Sequence, residues 1–176
     1  MNDAACPREG EEMNDAIVSD RLTGLSDRRL AIWALQRCRA RARSDTVPYG
    51  ILLIDVDHLK EVNRTLGRET GDLVLKTIAR ELLERHAAPD LVVRWADDRF
   101  LVVLASDAVG SVRGAADEVA AAVDVCPVPV RCSAGAALAR PDEDVPDVLD
   151  RAEALLTAGK RTGGAVAVDA LIAVPA

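Results

Sequence analysis

Aromatic residues are scarce: one Phe, one Tyr and two Trp in 176 residues. Platforms that stack single-stranded nucleic acid need several exposed rings. That class is therefore excluded, and the core is expected to be aliphatic, built from Ala, Val and Leu. Positive charge is also in deficit, with 22 Lys and Arg against 29 Asp and Glu and a formal net charge of −7. An acidic surface repels polyanions, so neither nucleic acid nor an anionic membrane is an expected partner, although a local basic pocket stays open. No apolar run approaches the roughly 20 residues of a membrane span, and the N-terminus lacks a basic-then-apolar leader pattern. A cytoplasmic protein is expected. The four cysteines, Cys6, Cys38, Cys126 and Cys132, show no CxxC pairing. They read as free thiols, not as a zinc site or a disulfide framework.

What is present is length enough for one ordinary domain with a real core. Residues 1–19 are polar and acidic and contain MNDA twice, at Met1 to Ala4 and Met13 to Ala16, and are expected to be a tail or short helix. The next 150 residues, to about position 170, read as a single α/β domain, and 171–176 as a C-terminal tail. Ser26-Asp27 can cap a helix from Arg28 to about Arg43, with Leu30, Ile32, Trp33, Leu35 and Cys38 forming its apolar stripe. An apolar run from Tyr49 to Val56 is strand-like. Helical spacing returns from about Thr70 to His86, then a hairpin from Leu91 to Arg94 and Phe100 to Ala105. A helix over Val109 to Val123, a strand over Val128 to Leu138, a helix over Val145 to Lys160 and a short strand over Ala165 to Val168 complete the order. This order specifies an α/β (α+β) domain whose sheet has mixed strand directions.

Chemistry concentrates at two places. Asp55 and Asp57 close the first strand, and Ala96-Asp97-Asp98-Arg99 forms the hairpin tip. Asp55 with Asp98 offers the oxygen ligands that magnesium prefers, and one of Asp55 and Asp57 is expected to face a cleft while the other faces away. Spacing alone favours a plain reading: Asp57 caps a following helix and Asp98 tolerates a tight turn. Downstream, Lys60 can meet a phosphate as a point charge, and Asn63 with Asp72 can recognise the N–H edge of guanine. The plain alternative places Asn63 and Gly67 in a loop and Asp72 in the first turn of a helix.

Several segments in sequence order resemble the GGDEF family of diguanylate cyclases. They are DRLTGLSDRR from Asp20, LLIDVDHLKEVN from Leu52, Gly71-Asp72, RWADDRF from Arg94, SAGAA from Ser133 and AEALLTAGKRTG from Ala152. The resemblance implies a palm-like nucleotide-cyclase fold with a mixed, largely antiparallel central sheet. In active members two protomers each hold one GTP with magnesium or manganese, and each 3′-hydroxyl attacks the other's α-phosphate to give cyclic di-GMP. Carried over by position, Asp55, the Val56 carbonyl and Asp98 would be metal ligands. Lys60 and Lys160 would meet phosphates, and Asn63 and Asp72 would hold guanine.

The signature itself departs from the family's Gly-Gly-Asp/Glu-Glu-Phe, since this chain has Ala96-Asp97-Asp98-Arg99-Phe100. Ala96 adds a methyl and Asp97 a carboxylate where glycines would let phosphates approach. Arg99 reverses a charge beside the metal position, where it either pairs with Asp55 or Asp98 or points to water. Thr157 stands where the family has Tyr, and Gly164 where it has a basic residue. The product-inhibition motif reads Ala87-Ala88-Pro89-Asp90, without its Arg, unless Arg85 substitutes from a shifted position. The expected function is thus a catalytically inactive regulatory or interaction module of bacterial cyclic di-GMP signalling, with GTP or GDP as a retained ligand. A protein partner or a homodimer is expected, and no inhibitory cyclic di-GMP site. Two alternatives stand beside it: an active cyclase, and an interaction domain with no nucleotide site.

Overall fold

The computed structural model describes residues 19–105, 107–140, 142–163 and 165–168. The doubled MNDA, Cys6, Gly164 and both tails lie outside them, Ser19 excepted. Strand β1 (Gly50–Asp57) runs through the middle of a five-stranded sheet. It pairs antiparallel with β3 (Arg99–Leu104) on one side and with β4 (Arg131–Leu138) on the other. β2 (Leu91–Ala96) forms a hairpin with β3, and β5 (Val166–Val168) joins β4 in parallel, giving the order β2-β3-β1-β4-β5. The mixed, largely antiparallel sheet expected from the sequence is present.

Alternation along the strands makes two cores, because successive side chains point to opposite faces. Leu52, Ile54, Phe100, Val102 and Ala134 pack under helices α3 (Arg68–Arg85) and α4 (Ala108–Asp124). Ile51, Leu53, Leu101, Val103 and Ala137 pack under α1 (Arg28–Asp45) and α5 (Val145–Arg161). The α5 face of β4 is nearly bare of side chains. A Cβ on Gly135 would lie 2.1 Å from the Ala152 carbonyl oxygen and 2.4 Å from the Leu156 nitrogen. The helix therefore lies directly on the strand, and this seat carries its Glu153 and Lys160 toward the end of β1.

The structure corrects the sequence reading at several points. A helix absent from that reading, α2 (Leu59–Leu66), follows β1 directly and takes in Asn63, which the plain alternative places in a loop. Leu59, Val62 and Leu66 recur at helical spacing along LKEVNRTL, a stripe only two turns long that the sequence reading passes over, and of the three only Leu59 is buried. It starts from His58 at φ 57 with no side-chain cap, so Asp57 is not a capping residue. α3 begins at Arg68 rather than Thr70, separated from α2 by Gly67 at φ 90, a conformation that suits glycine. β4 begins at Arg131 rather than Val128. The Asp27 cap stands as expected, its carboxylate accepting from the Arg29 and Leu30 amides.

A buried imidazole ties three elements together away from the hairpin tip. His86 Nδ1 lies 3.1 Å from Asp90 and Nε2 lies 2.8 Å from Glu118 of α4. Asp90 also accepts the Ala105 amide at 2.8 Å. Both ring nitrogens face carboxylate acceptors, so both contacts are hydrogen bonds only in the imidazolium form. Burial opposes that charge, but the bonds and charges of Glu118 and Asp90 outweigh it and raise the His86 pKa above the ordinary value.

Two outcomes follow from this packing. A group whose folded pKa is raised adds stability that is complete below its unfolded pKa, about 6.5, and lost as pH rises through the folded value. The urea midpoint should fall as pH is raised from 6 toward 9, and His86→Gln should flatten that slope. Gly135→Ala forces α5 off β4, and denaturant unfolding should register a loss of about 3 kcal/mol or failure to fold.

Candidate functional site

The end of β1 gathers the charged residues of the fold. Asp55 is only 3% exposed, and a carboxylate that deep needs compensation. It has two cations. Lys160, in the last turn of α5, places Nζ 2.7 Å from Oδ1, and Arg99, opposite Asp55 in the β1–β3 register, places Nε 2.8 Å from Oδ2. Arg99 turns its other edge to Glu153 of α5, with Nη1 at 2.9 and 3.0 Å from the two carboxylate oxygens. Burial alone would lower the Arg99 pKa, but the bonds to Asp55 and Glu153 raise it. Of the two orientations open to Arg99, the structure has the paired one, with Asp55 and Glu153 as its partners rather than Asp98.

Asp57 does not face away from Asp55. Two residues apart on one strand, they share a face, and Ser133, opposite Asp55 on β4, donates its hydroxyl to the Asp57 carboxylate at 2.9 Å. The expectation of opposite directions fails on strand periodicity alone. Val56 is buried between them, and its N–H donates to the Asp98 carbonyl at 2.9 Å. That bond fixes the hairpin tip against the end of β1.

The tip keeps its shape without glycine because Arg94 holds it from beneath. Its Nε donates to the Ala96 carbonyl at 2.8 Å and Nη2 to the Asp97 carbonyl, while the guanidinium lies 5.2 Å from the Phe100 ring centre. Burial draws the Arg94 pKa down, opposed by the charges of Asp20, Asp97, Asp98 and Asp72. Ala96 and Asp97 are exposed, and Asp98 is half-buried. Asp72 thus belongs to the same charge neighbourhood as the tip.

Asn63 and Asp72 are brought together by the α2–α3 corner. Gly71 leaves room for the Asn63 side chain, since a Cβ there would sit 1.8 Å from Oδ1. That Oδ1 is buried and has no hydrogen-bond partner among the described residues. A buried acceptor left unmade costs about 1–3 kcal/mol, and this one is turned onto Gly71 of α3. Lys60 remains exposed on α2 with no ion pair among the described residues, and it is not brought onto the Asp55 cluster as Lys160 is. Thr157 is exposed on α5. Asp90 and Arg85 line a separate cavity of about 610 Å³ with His86 and Glu118.

Comparison with known proteins decides the family. The profile described as "Diguanylate cyclase, GGDEF domain" matches residues 17–165. The chain belongs to the GGDEF family. This GGDEF chain is 31% identical over 160 residues to the diguanylate cyclase DgcP of Pseudomonas aeruginosa, covering 87% of this chain and 24% of that protein. It is 37% identical over 92 residues to the response regulator PleD of Caulobacter vibrioides, covering 52% of this chain and 20% of that protein. It therefore spans about a quarter or less of these curated relatives. Among solved structures, diguanylate cyclase SiaD of Pseudomonas aeruginosa in complex with its activator SiaC superposes with a TM-score of 0.74 at 31% identity, over 85% of this chain and 60% of that one. The GGDEF domain of DgcB from Caulobacter crescentus, in complex with c-di-GMP, gives 0.78 at 26% identity, over 87% and 95%. No helix among the described residues is long and apolar enough to cross a membrane.

Glu153 and Ser133 entered the cluster unannounced by the sequence. Glu153 had one available signal: it precedes Lys160 by seven residues, two helical turns, and so shares its face. Arg99→Ala would leave Asp55 with Lys160 alone and Glu153 unpaired. Denaturant unfolding should show a loss of about 1.5–3 kcal/mol, the range for hydrogen bonds to charged groups.

Proposed function

We infer that this GGDEF chain is a binding module of cyclic di-GMP signalling that does not turn over GTP. The observation that carries this reading is the Arg99 guanidinium on Asp55. The magnesium or manganese that the family implies would need that carboxylate, yet Lys160 and Arg99 each hold one of its oxygens. Asp98 and the Val56 carbonyl alone make a thin donor set. Among the described residues, no group of three or more His, Cys, Asp or Glu side chains is placed to hold a metal ion. The residues present do not fit a two-ion centre. At the tip, exposed Asp97 adds charge that repels a triphosphate.

The guanine corner argues for retained recognition. Asn63 carries an unpaired buried acceptor, and Asp72 can accept from the ring and exocyclic N–H groups of guanine. GTP or GDP is the ligand class this corner fits. The former product-inhibition surface has Ala87 in place of Arg, and its Asp90 is committed to His86 and the Ala105 amide. Feedback binding of cyclic di-GMP there is not expected. Output then passes to a protein partner or a second copy, as SiaD is held with an activator protein.

Pure protein incubated with GTP and magnesium or manganese should yield no cyclic di-GMP by mass spectrometry. Steady accumulation of product would establish the active-cyclase alternative. Calorimetric titration with GTP or GDP should show binding that Asn63→Ala or Asp72→Ala weakens at least about tenfold, close to 1.4 kcal/mol. No binding by the unmodified chain would favour a domain without a nucleotide site.

A further inference from the structure

A strongly cationic surface of this acidic chain lies on α1, outside the Asp55 cluster. The helix carries six arginines, Arg28, Arg29, Arg37, Arg39, Arg41 and Arg43, and no acid before its last residue, Asp45. Its inward face is spoken for: Ala31 and Leu35 are buried in the core, and Arg28 lies 4.3 Å from the Trp95 ring centre. The outward face is different. Arg29, Trp33, Arg37 and Arg41 follow one another at steps of four, so they line one side of a helix about 27 Å long.

Trp33 is 45% exposed, with the Arg37 guanidinium 4.8 Å from its ring centre. Trp is a residue type enriched where binding energy concentrates, and the cation over this ring leaves part of its face open. Arg37, Arg41 and Arg43 have no carboxylate partner among the described residues, in contrast to Arg94, Arg99 and Lys160. Beside the stripe, Gln36, Arg39, Ala40, Arg43 and Ser44 line a cavity of about 420 Å³. Arg39 pairs with Asp144 through Nη2, yet its Nε is buried without an acceptor.

We propose that the outer face of α1 is a docking surface for an acidic segment of a partner protein, one that carries a large apolar side chain to cover Trp33. The proposal deepens the binding-module reading by naming the surface and the chemistry of its partner. Charge complementarity selects carboxylates: an arginine fork takes one through two parallel N–H bonds, and Arg37 and Arg41 are both exposed. The ring selects against a bare polyanion, which would leave it wet. A bilayer or a long nucleic acid would also bring its charge against the rest of a chain of net charge −7. A short protein segment touches only the basic strip.

The test is selection of random displayed peptides on the full-length chain, with the double variant R37E/R41E as the counter-target. Peptides rich in Asp and Glu around one Leu, Phe or Trp should be enriched. They should bind with micromolar affinity, change Trp fluorescence and weaken at least tenfold on R37E/R41E, on W33A alone, and in 0.5 M salt. An unchanged melting profile certifies that the variants fold. Recovery of no acidic consensus, or equal binding to the variants, would overturn the proposal. So would tighter binding of phosphatidylglycerol vesicles or a DNA oligonucleotide at physiological salt, or self-association that R37E/R41E abolishes. All of this is read without nucleotide, so its outcome is separable from that of the cyclase assay.

Discussion

A carboxylate buried at the end of the central strand is the constraint around which this domain is organised. Removing Asp55 from water is affordable only with opposite charge and hydrogen bonds in place. The fold supplies them from two directions, Arg99 across the β1–β3 ladder and Lys160 from the last turn of α5. Gly135 then becomes more than a small residue. Its missing side chain lets α5 lie on β4 closely enough for Lys160 to arrive and for Glu153 to hold the far side of Arg99. The charged end of β1 is thus met by the strand register, by the seat of α5 and by the hairpin together.

The same neutrality bears on chemistry. Asp55, Glu153, Arg99 and Lys160 are two anions and two cations paired with each other, while Asp57 beside them is held by the Ser133 hydroxyl. Electrostatic catalysis relies on charge held in readiness for the reacting atoms, with little local reorganisation. An arginine bonded to two carboxylates is poorly prepared for that, because recruiting it exposes both partners. The tip shows a parallel substitution of means: Arg94, bonded to the Ala96 and Asp97 carbonyls, supports a turn that lacks the glycines of the family signature. Geometry is kept while openness to phosphate is reduced.

How much of this was legible depended on the range of the interaction. Strands announced themselves through apolar runs, the hairpin through its charged tetrapeptide, and α1 through the Asp27 cap, all local patterns. α2 carried one as well, Leu59, Val62 and Leu66 at helical spacing, and it was passed over because two turns of otherwise polar residues are short. The same-face placement of Asp55 and Asp57 was readable from the period of two and was misread. Arg99 with Glu153 and His86 with Glu118 join residues 54 and 32 positions apart. No spacing rule reaches that far, since only the topology decides which helix face meets which strand end.

The distribution of satisfied and unsatisfied cations separates two kinds of surface on the one domain. Around β1 every arginine or lysine that approaches the cluster finds a carboxylate, at 2.7 to 2.9 Å, and the group is closed. On α1, Arg37, Arg41 and Arg43 face outward with no carboxylate among the described residues, and Arg37 lies over the half-exposed Trp33 ring. Exposed ion pairs contribute about 0–1 kcal/mol, so fold stability gives little reason to concentrate six arginines on one helix of an acidic chain. A closed site and an open basic face are the arrangement expected when a domain has given up charge-driven turnover and works instead through contact. In that case the weight of selection falls on the shape that holds α1 outward, and the paired charges at β1 serve that shape.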